Sequence, residues 1–259
     1  MSEVKVHPVP AEVAANAHID AAKYEEMYKR SVDDPDGFWG DAAEEFVTWS
    51  KKWDKVTEWD YHTADIKWFL GGKLNVSYNC LDRHLETRGD QTAIIWESDD
   101  PNLDKKISYR ELHAEVCKFA NVLKDRGVKK GDRVCIYLPM VPEAAVAMLA
   151  CTRIGAIHSI VFGGFSPDAL SSRILDSDCQ TLITSDESVR GGKNVPLKSN
   201  ADIALAECPN VHTCVVVRRT GGKVAWTEGR DIYYDEAMAN AAAECEPEAM
   251  DAEDPLFIL

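Results

Sequence analysis

The chain has 259 residues, of which 45% are hydrophobic and 28% charged, an ordinary globular composition with enough apolar material for a sizeable core. Its formal net charge of -15 argues against non-specific nucleic-acid binding and against an anionic membrane surface, both of which need a cationic face. An anionic small molecule stays compatible, because a few local cations can hold a phosphate on an acidic protein. No apolar run approaches the ~20 residues of a transmembrane helix, and MSEVKVHPVPAEVAANAHID lacks the charged-then-apolar order of a signal peptide. A cytoplasmic protein with no membrane partner is therefore expected. Cysteine usage agrees. Cys117, Cys135, Cys151, Cys179 and Cys214 sit among apolar residues, and no C-x-x-C or zinc-type Cys/His spacing occurs, so reduced core thiols are expected.

Residues 1 to about 90 read as helical, aromatic and loop-rich, an N-terminal extension wrapping a main domain. Five of the seven tryptophans fall here: Trp39, Trp49, Trp53, Trp59 and Trp68. The stretch AAKYEEMYKRSVDDPDGFWGDAAEEFVTW predicts two helices broken at Asp34-Pro35, with the proline at a helix start. NVSYNCLDRHLETRG predicts one helix, with Leu81 and Leu85 on one face and Gly89 past its end.

From about residue 91 the pattern alternates. TAIIWES (92–98) is a strand-type run. Ser108 and Glu111 form a capping box for a helix whose apolar face is Leu112, Val116, Phe119 and Leu123, closed by Gly127. Strands are predicted at Arg133–Leu138, Ala156–Phe162, Gln180–Thr184, Thr213–Val217 and Leu256–Leu259. Helices are predicted at Glu143–Arg153, from Ser166-Pro167 to about Asp176, at Pro196–Glu207 and at Tyr234–Ala243. TGGKVAWTEGRD (220–231) reads as a surface excursion. The strands are continuously apolar, as strands buried on both faces are. The predicted class is α/β, a mostly parallel sheet with helices on both faces.

Ligands of such sheets bind beyond the carboxyl ends of the strands, and three strand-to-helix loops have unusual content. Leu138-Pro139-Met140-Val141-Pro142-Glu143 carries two prolines and reads mainly as a rigid turn. Phe162-Gly163-Gly164-Phe165-Ser166-Pro167 lets backbone approach a ligand at a helix start, but from its chemistry alone a plain turn fits equally well. In Ser185–Lys193, Arg190 and Lys193 bracket Gly191 and Gly192, so guanidinium, ammonium and backbone N–H groups could converge on a phosphate, or form only a solvated basic turn. No G-x-G-x-x-G, Walker loop, G-x-S-x-G or H-E-x-x-H occurs. His158, inside a strand, reads as a core histidine.

Longer motifs add a resemblance. DDPDGFWGDAAEEFVTWSKKWDKV, IKWFLGGKLNVSYNCLDRHLETRGDQTAIIWE, the run from SYREL through VFGGFS, and SDESVRGGK are similar to the N-terminal part of the AMP-forming acetate–CoA ligases, within the adenylate-forming enzymes. The likeness runs from about Tyr24 to Leu259. It implies a two-step reaction: acetate and ATP give acetyl-AMP and pyrophosphate with Mg2+, and the CoA thiol then displaces AMP. Acetate, ATP and CoA are the implied substrates. It also implies that Arg190, Gly191, Gly192 and Lys193 hold phosphates of CoA, with Arg190 foremost, and that Phe162, Gly163 and Gly164 lie beside the CoA nucleotide. Some members of the family carry Arg where this chain has Lys193, which keeps the charge and loses the bidentate fork. Residues 91–259 would then be an incomplete AMP-binding domain. In the family the strand matching Leu256–Leu259 leads into a Ser/Thr/Gly-rich phosphate loop, with the metal ligand, acetate pocket and catalytic lysine later still. The resemblance therefore implies an N-terminal part, inactive alone and missing the C-terminal part of its own chain. The alternatives are a naturally short, non-catalytic CoA-binding module and part of a propionyl-CoA synthetase.

Overall fold

The computed structural model describes residues 5–100 and 102–259. The first four residues of the stretch read as lacking a signal peptide thus lie outside the described ones. Two compact units are present, one running to Thr48 and including Asp54–Leu70, the other comprising Trp49–Trp53 and Gly71–Leu259.

The first unit contains helices α1 (Ala11–Ala15), α2 (Ala21–Asp33) and α3 (Pro35–Phe46) and strands β1 (Lys55–Asp60) and β2 (Asp65–Leu70). The break at Asp34-Pro35 falls where the sequence places it. Pro35 starts α3, and the Asp34 carboxylate accepts the Gly37 amide at 3.1 Å. The hairpin corrects the helical, loop-rich expectation. β-Branched and aromatic residues on both arms suit strands, and Thr57 pairs with Trp68 while Trp59 pairs with Ile66. Its turn lacks the Asn-Gly signal. Instead the Asp60 carboxylate accepts the His62 amide at 2.8 Å. Trp39 and Trp68 meet edge to face, 6.3 Å between centroids.

In the second unit, β3 (Lys73–Leu74) precedes α4 (Val76–Cys80), a 3₁₀ turn (Asp82–His84) and α5 (Leu85–Arg88). The single helix expected over this stretch is thus split in three. The reason is tertiary. Leu81 is buried at a non-helical φ of -124°, and the Asp82 carboxylate is taken by the Arg153 guanidinium and the His113 ring. β4 (Thr92–Trp96) pairs antiparallel with β5 (Lys105–Ser108) in a separate ladder, so TAIIWES does not belong to the parallel sheet. α6 (Tyr109–Asp125) has the expected capping box: Glu111 N–H donates to Ser108 Oγ at 3.2 Å, and the Ser108 amide donates to Glu111 Oε2 at 2.8 Å.

Then follow β6 (Arg133–Tyr137), α7 (Pro142–Arg153), β7 (Ile157–Ile160), α8 (Pro167–Asp176), β8 (Thr181–Ser185), β9 (Ser188–Arg190), β10 (Lys193–Val195), α9 (Leu197–Leu205), β11 (Thr213–Val217), β12 (Asp231–Tyr233), α10 (Tyr234–Ala239), β13 (Met250–Asp251) and β14 (Phe257–Ile258). Six of these strands form a parallel sheet in the order β12-β11-β8-β6-β7-β14. The excursion read over 220–231 therefore runs into an edge strand. Alternate residues feed two cores. Val134, Ile136, Ile183, Val215 and Val217 pack with α6, α7 and α10, while Cys135, Tyr137, Leu182, Cys214 and Val216 pack with α8 and α9. Each fully buried branched side chain stabilises the fold by about 1.5–3 kcal/mol, which is why both faces must be covered. All eight cysteines are free and all but Cys80 are buried. β14 departs from expectation: Phe257 and Ile258 are exposed, because β14 is an edge strand with β7 as its neighbour.

Candidate functional site

In the sheet, β7 and β8 lie on opposite sides of β6, so the loops after β6, β7, β8 and β11 gather at the carboxyl edge. They line a cleft of about 540 Å³ together with Trp96–Asp99 from the end of β4. Its walls include Leu138, Pro139 and Met140 after β6, Phe162, Gly163 and Gly164 after β7, Arg190 on β9, and Arg219 after β11. Of the seven residues singled out in the sequence, these four (Phe162, Gly163, Gly164 and Arg190) come together. Gly191, Gly192 and Lys193 are exposed at the adjoining hairpin and do not line the cleft.

Each wall has a local cause. Gly163 allows loops to meet, since a Cβ there would stand 3.2 Å from the Leu138 carbonyl oxygen. The Phe165 carbonyl accepts a 2.8 Å hydrogen bond from the Tyr137 hydroxyl, which anchors the loop after β7 to the strand beside it. Burial pushes the Tyr137 phenol above its ordinary value, so it stays a donor. Phe162 and Phe165 meet edge to face at 5.8 Å. Phe162 is 58% exposed and Met140 91% exposed, so apolar surface is presented at the mouth.

Arg190-Gly191-Gly192-Lys193 closes the β9–β10 hairpin, with Lys193 directly across from Arg190. Gly191 and Gly192 have φ values of 56° and 73°, two consecutive left-handed residues, as a two-residue type I′ turn requires. Gly-Gly between SVR and KNV is the sequence signal that identifies this hairpin. The turn holds Arg190 at the cleft, its guanidinium carbon 5.8 Å from the Phe162 ring centroid. Among the described residues no carboxylate pairs with Arg190. A guanidinium without a counterion beside an exposed ring suits a molecule that joins phosphate to a flat base.

Sequence reasoning missed Trp96 and Arg219. Trp96 donates its indole N–H to the Met140 carbonyl at 2.8 Å, and Arg219 lies 5.1 Å from its ring. No spacing in the chain reveals this, because the pairing depends on β11 lying beside β8. Cys135, Cys151, Cys214 and His158 are not poised as nucleophile or base. Burial raises Cys135 and Cys151, pushes Cys214 to about 12, and lowers His158. Among the described residues no group of three or more His, Cys, Asp or Glu side chains is placed to hold a metal ion. No helix among the described residues is long and apolar enough to cross a membrane.

Comparison with known proteins gives a consistent set of likenesses. The family model described as AMP-binding enzyme matches residues 81–259, and that described as acetyl-coenzyme A synthetase N-terminus matches residues 24–80. The chain is 66% identical to acetyl-coenzyme A synthetase of Alkalilimnicola ehrlichii and 65% identical to that of Magnetococcus marinus, over all of this chain and 40% of each relative. It is 60% identical to acetyl-coenzyme A synthetase 2 of Pseudomonas aeruginosa over the same shares. The chain therefore spans about two-fifths of the length of these relatives. A solved structure of acetoacetyl-CoA synthetase from Streptomyces lividans superposes with a TM-score of 0.84 at 27% identity, covering 96% of this chain and 38% of that one.

Proposed function

The chain belongs to the AMP-binding enzyme family, and from that premise we propose that it supplies the CoA-nucleotide wall of an AMP-forming acetate–CoA ligase. The observation that carries this reading is Arg190, a guanidinium without a carboxylate partner, held by a type I′ hairpin beside the exposed Phe162 ring. Phosphate oxygens of CoA would take the guanidinium, and the adenine would lie on the exposed Phe162 ring. The substrates in this reading are acetate, ATP and CoA, and the protein works in the cytoplasm. Residues 1–90 form an N-terminal extension in this reading, and residues 91–259 part of the AMP-binding domain. In this reading, adenylation of acetate, with its Mg2+, draws on residues outside these 259. The 259 residues are therefore expected to bind CoA without making acetyl-AMP.

Calorimetric titration of CoA into the chain tests the reading. Arg190→Ala should weaken binding by about 1.5–3 kcal/mol, the range of a hydrogen bond to a charged group. Equal affinity of wild type and Arg190→Ala would remove the basis of the proposal. Acetate-dependent exchange of pyrophosphate into ATP by the 259 residues alone would contradict the division of labour.

A further inference from the structure

The loop after β11 gathers around a buried carboxylate that pairs with no cation among the described residues. Asp186 follows β8 and is 1% exposed. Its Oδ1 accepts the amides of Glu187 at 2.7 Å and Arg219 at 2.8 Å, and its Oδ2 accepts the Gly221 amide at 2.8 Å. The Thr220 amide lies 3.3 Å from both oxygens. Glu187 continues the knot, accepting the Thr220 hydroxyl at 2.5 Å and the Asn194 side-chain amide of β10 at 2.8 Å. Asp186 thus holds the loop after β11, and Glu187 separately ties that loop to the hairpin that presents Arg190. Backbone N–H groups converging on one ionised carboxylate are charge-assisted and directional, so they fix where the loop runs.

The residue whose backbone that knot holds is Arg219. It is only 16% exposed and lines the cleft. Its Nη2 donates to Ser98 Oγ at 2.8 Å, and the guanidinium lies 5.1 Å from the Trp96 ring. The nearest carboxylate oxygen, on the half-exposed Asp99, is 3.9 Å away. Such an exposed pair is worth little. A guanidinium carries five N–H donors, and among the described residues Arg219 has one side-chain hydrogen bond. The cleft therefore presents two arginines on two different rings, Arg190 at Phe162 and Arg219 at Trp96.

We infer that Arg219 is a second anion-binding residue of this cleft, taking a phosphate group distinct from the one at Arg190, and that Asp186 is the residue that positions it. The inference rests on the CoA reading. CoA carries a 3′-phosphate and a diphosphate on one adenosine, two anionic groups that a pair of separate arginines can divide between them.

The test is calorimetry of the 259-residue chain with CoA and with 3′-dephospho-CoA. Arg219→Ala should weaken CoA about 10-fold or more. The affinity gained from the 3′-phosphate should vanish in one of the two single variants, Arg190→Ala or Arg219→Ala, and persist in the other. Asp186→Asn should weaken CoA in the wild-type background and have no further effect when Arg219 is already Ala. Circular dichroism checks each variant for folding. If Arg219→Ala does not fold, Arg219→Lys takes its place, with a loss of about 3-fold or more from the missing fork. CoA affinity within twofold of wild type in the Arg219 variant, with Arg190→Ala still weakened, would overturn the inference and leave the proposed function standing. Independent losses from Asp186→Asn and Arg219→Ala would overturn the positioning role. A wild-type chain that binds no CoA would overturn both readings.

Discussion

Arg153 and Arg190 show what surroundings do to the same side chain. Arg153, at the end of α7, is buried at 3% exposure and grips Asp82 with two nitrogens at 2.8 and 2.9 Å. Its Nε donates to the Cys245 carbonyl at 2.5 Å, and His113 Nε2 lies 3.2 Å from the same Asp82 carboxylate. Every element in that knot is protein, and nothing remains for a ligand. Arg190 sits exposed on a hairpin with an aromatic ring and no carboxylate. A saturated buried charge marks architecture, while an unsaturated charge in a cleft marks recognition.

The largest expected effect breaks the first member of the pair. Arg153→Leu leaves the partly buried Asp82 with the His113 ring alone and should cost about 3 kcal/mol of stability in urea unfolding. Arg190→Ala should do the reverse, changing stability by no more than about 0.5 kcal/mol while weakening CoA by the amount given above. If both variants lowered stability alike, the contrast would fail.

Acid–base behaviour sharpens the contrast. Hydrogen bonding to Asp82, with a smaller contribution from Cys117, raises His113 to about 9 from an ordinary value near 6.5. Its contribution is therefore complete below about pH 6.5 and is lost as pH rises through 9. Asp82 moves the other way. Burial alone would raise it, but the Arg153 and His113 hydrogen bonds outweigh that and lower it, so its contribution is lost only as strong acid protonates it. Unfolding free energy should fall by roughly 2 kcal/mol between pH 6.5 and 9.5, less than the full shift implies because the ring is partly exposed. His113→Gln should flatten that slope. An unchanged slope in the variant would mean that another group titrates.

The smallest effect concerns the hairpin glycines. No atom outside the adjoining residues lies within 4 Å of a Cβ built on Gly191, so Gly191→Ala meets only the penalty of its positive φ, about 1 kcal/mol. CoA affinity should fall less than in Arg190→Ala. A loss as large as that of Arg190→Ala would mean that the turn itself contacts the ligand.

How much was legible in the sequence follows the range of the forces involved. β6, β8 and β11 could be read because burial on both faces demands unbroken apolar runs, and α6 and α8 because Ser108 and Ser166 announce their starts. The hairpin of β1 and β2 was hidden by a turn with no Asn-Gly, and the split at Leu81 by pairing between Asp82 and a residue seventy-one positions away. In the cleft, Phe162, Gly163, Gly164 and Arg190 follow recognisable strands, but the residues alone fitted plain turns equally well, and it was the family resemblance that implied their roles. Trp96 and Arg219 were not legible, since one comes from an antiparallel ladder and the other depends on a knot of backbone amides around Asp186.

The most direct measurement is hydrogen exchange of the 259-residue chain with and without saturating CoA. The cleft predicts new protection in residues 138–141, 162–165 and 188–195, with none around Asp82, His113 and Arg153. Protection at the Arg153 knot, or none in those three loops, would contradict the assignment of the CoA nucleotide to the cleft at Arg190.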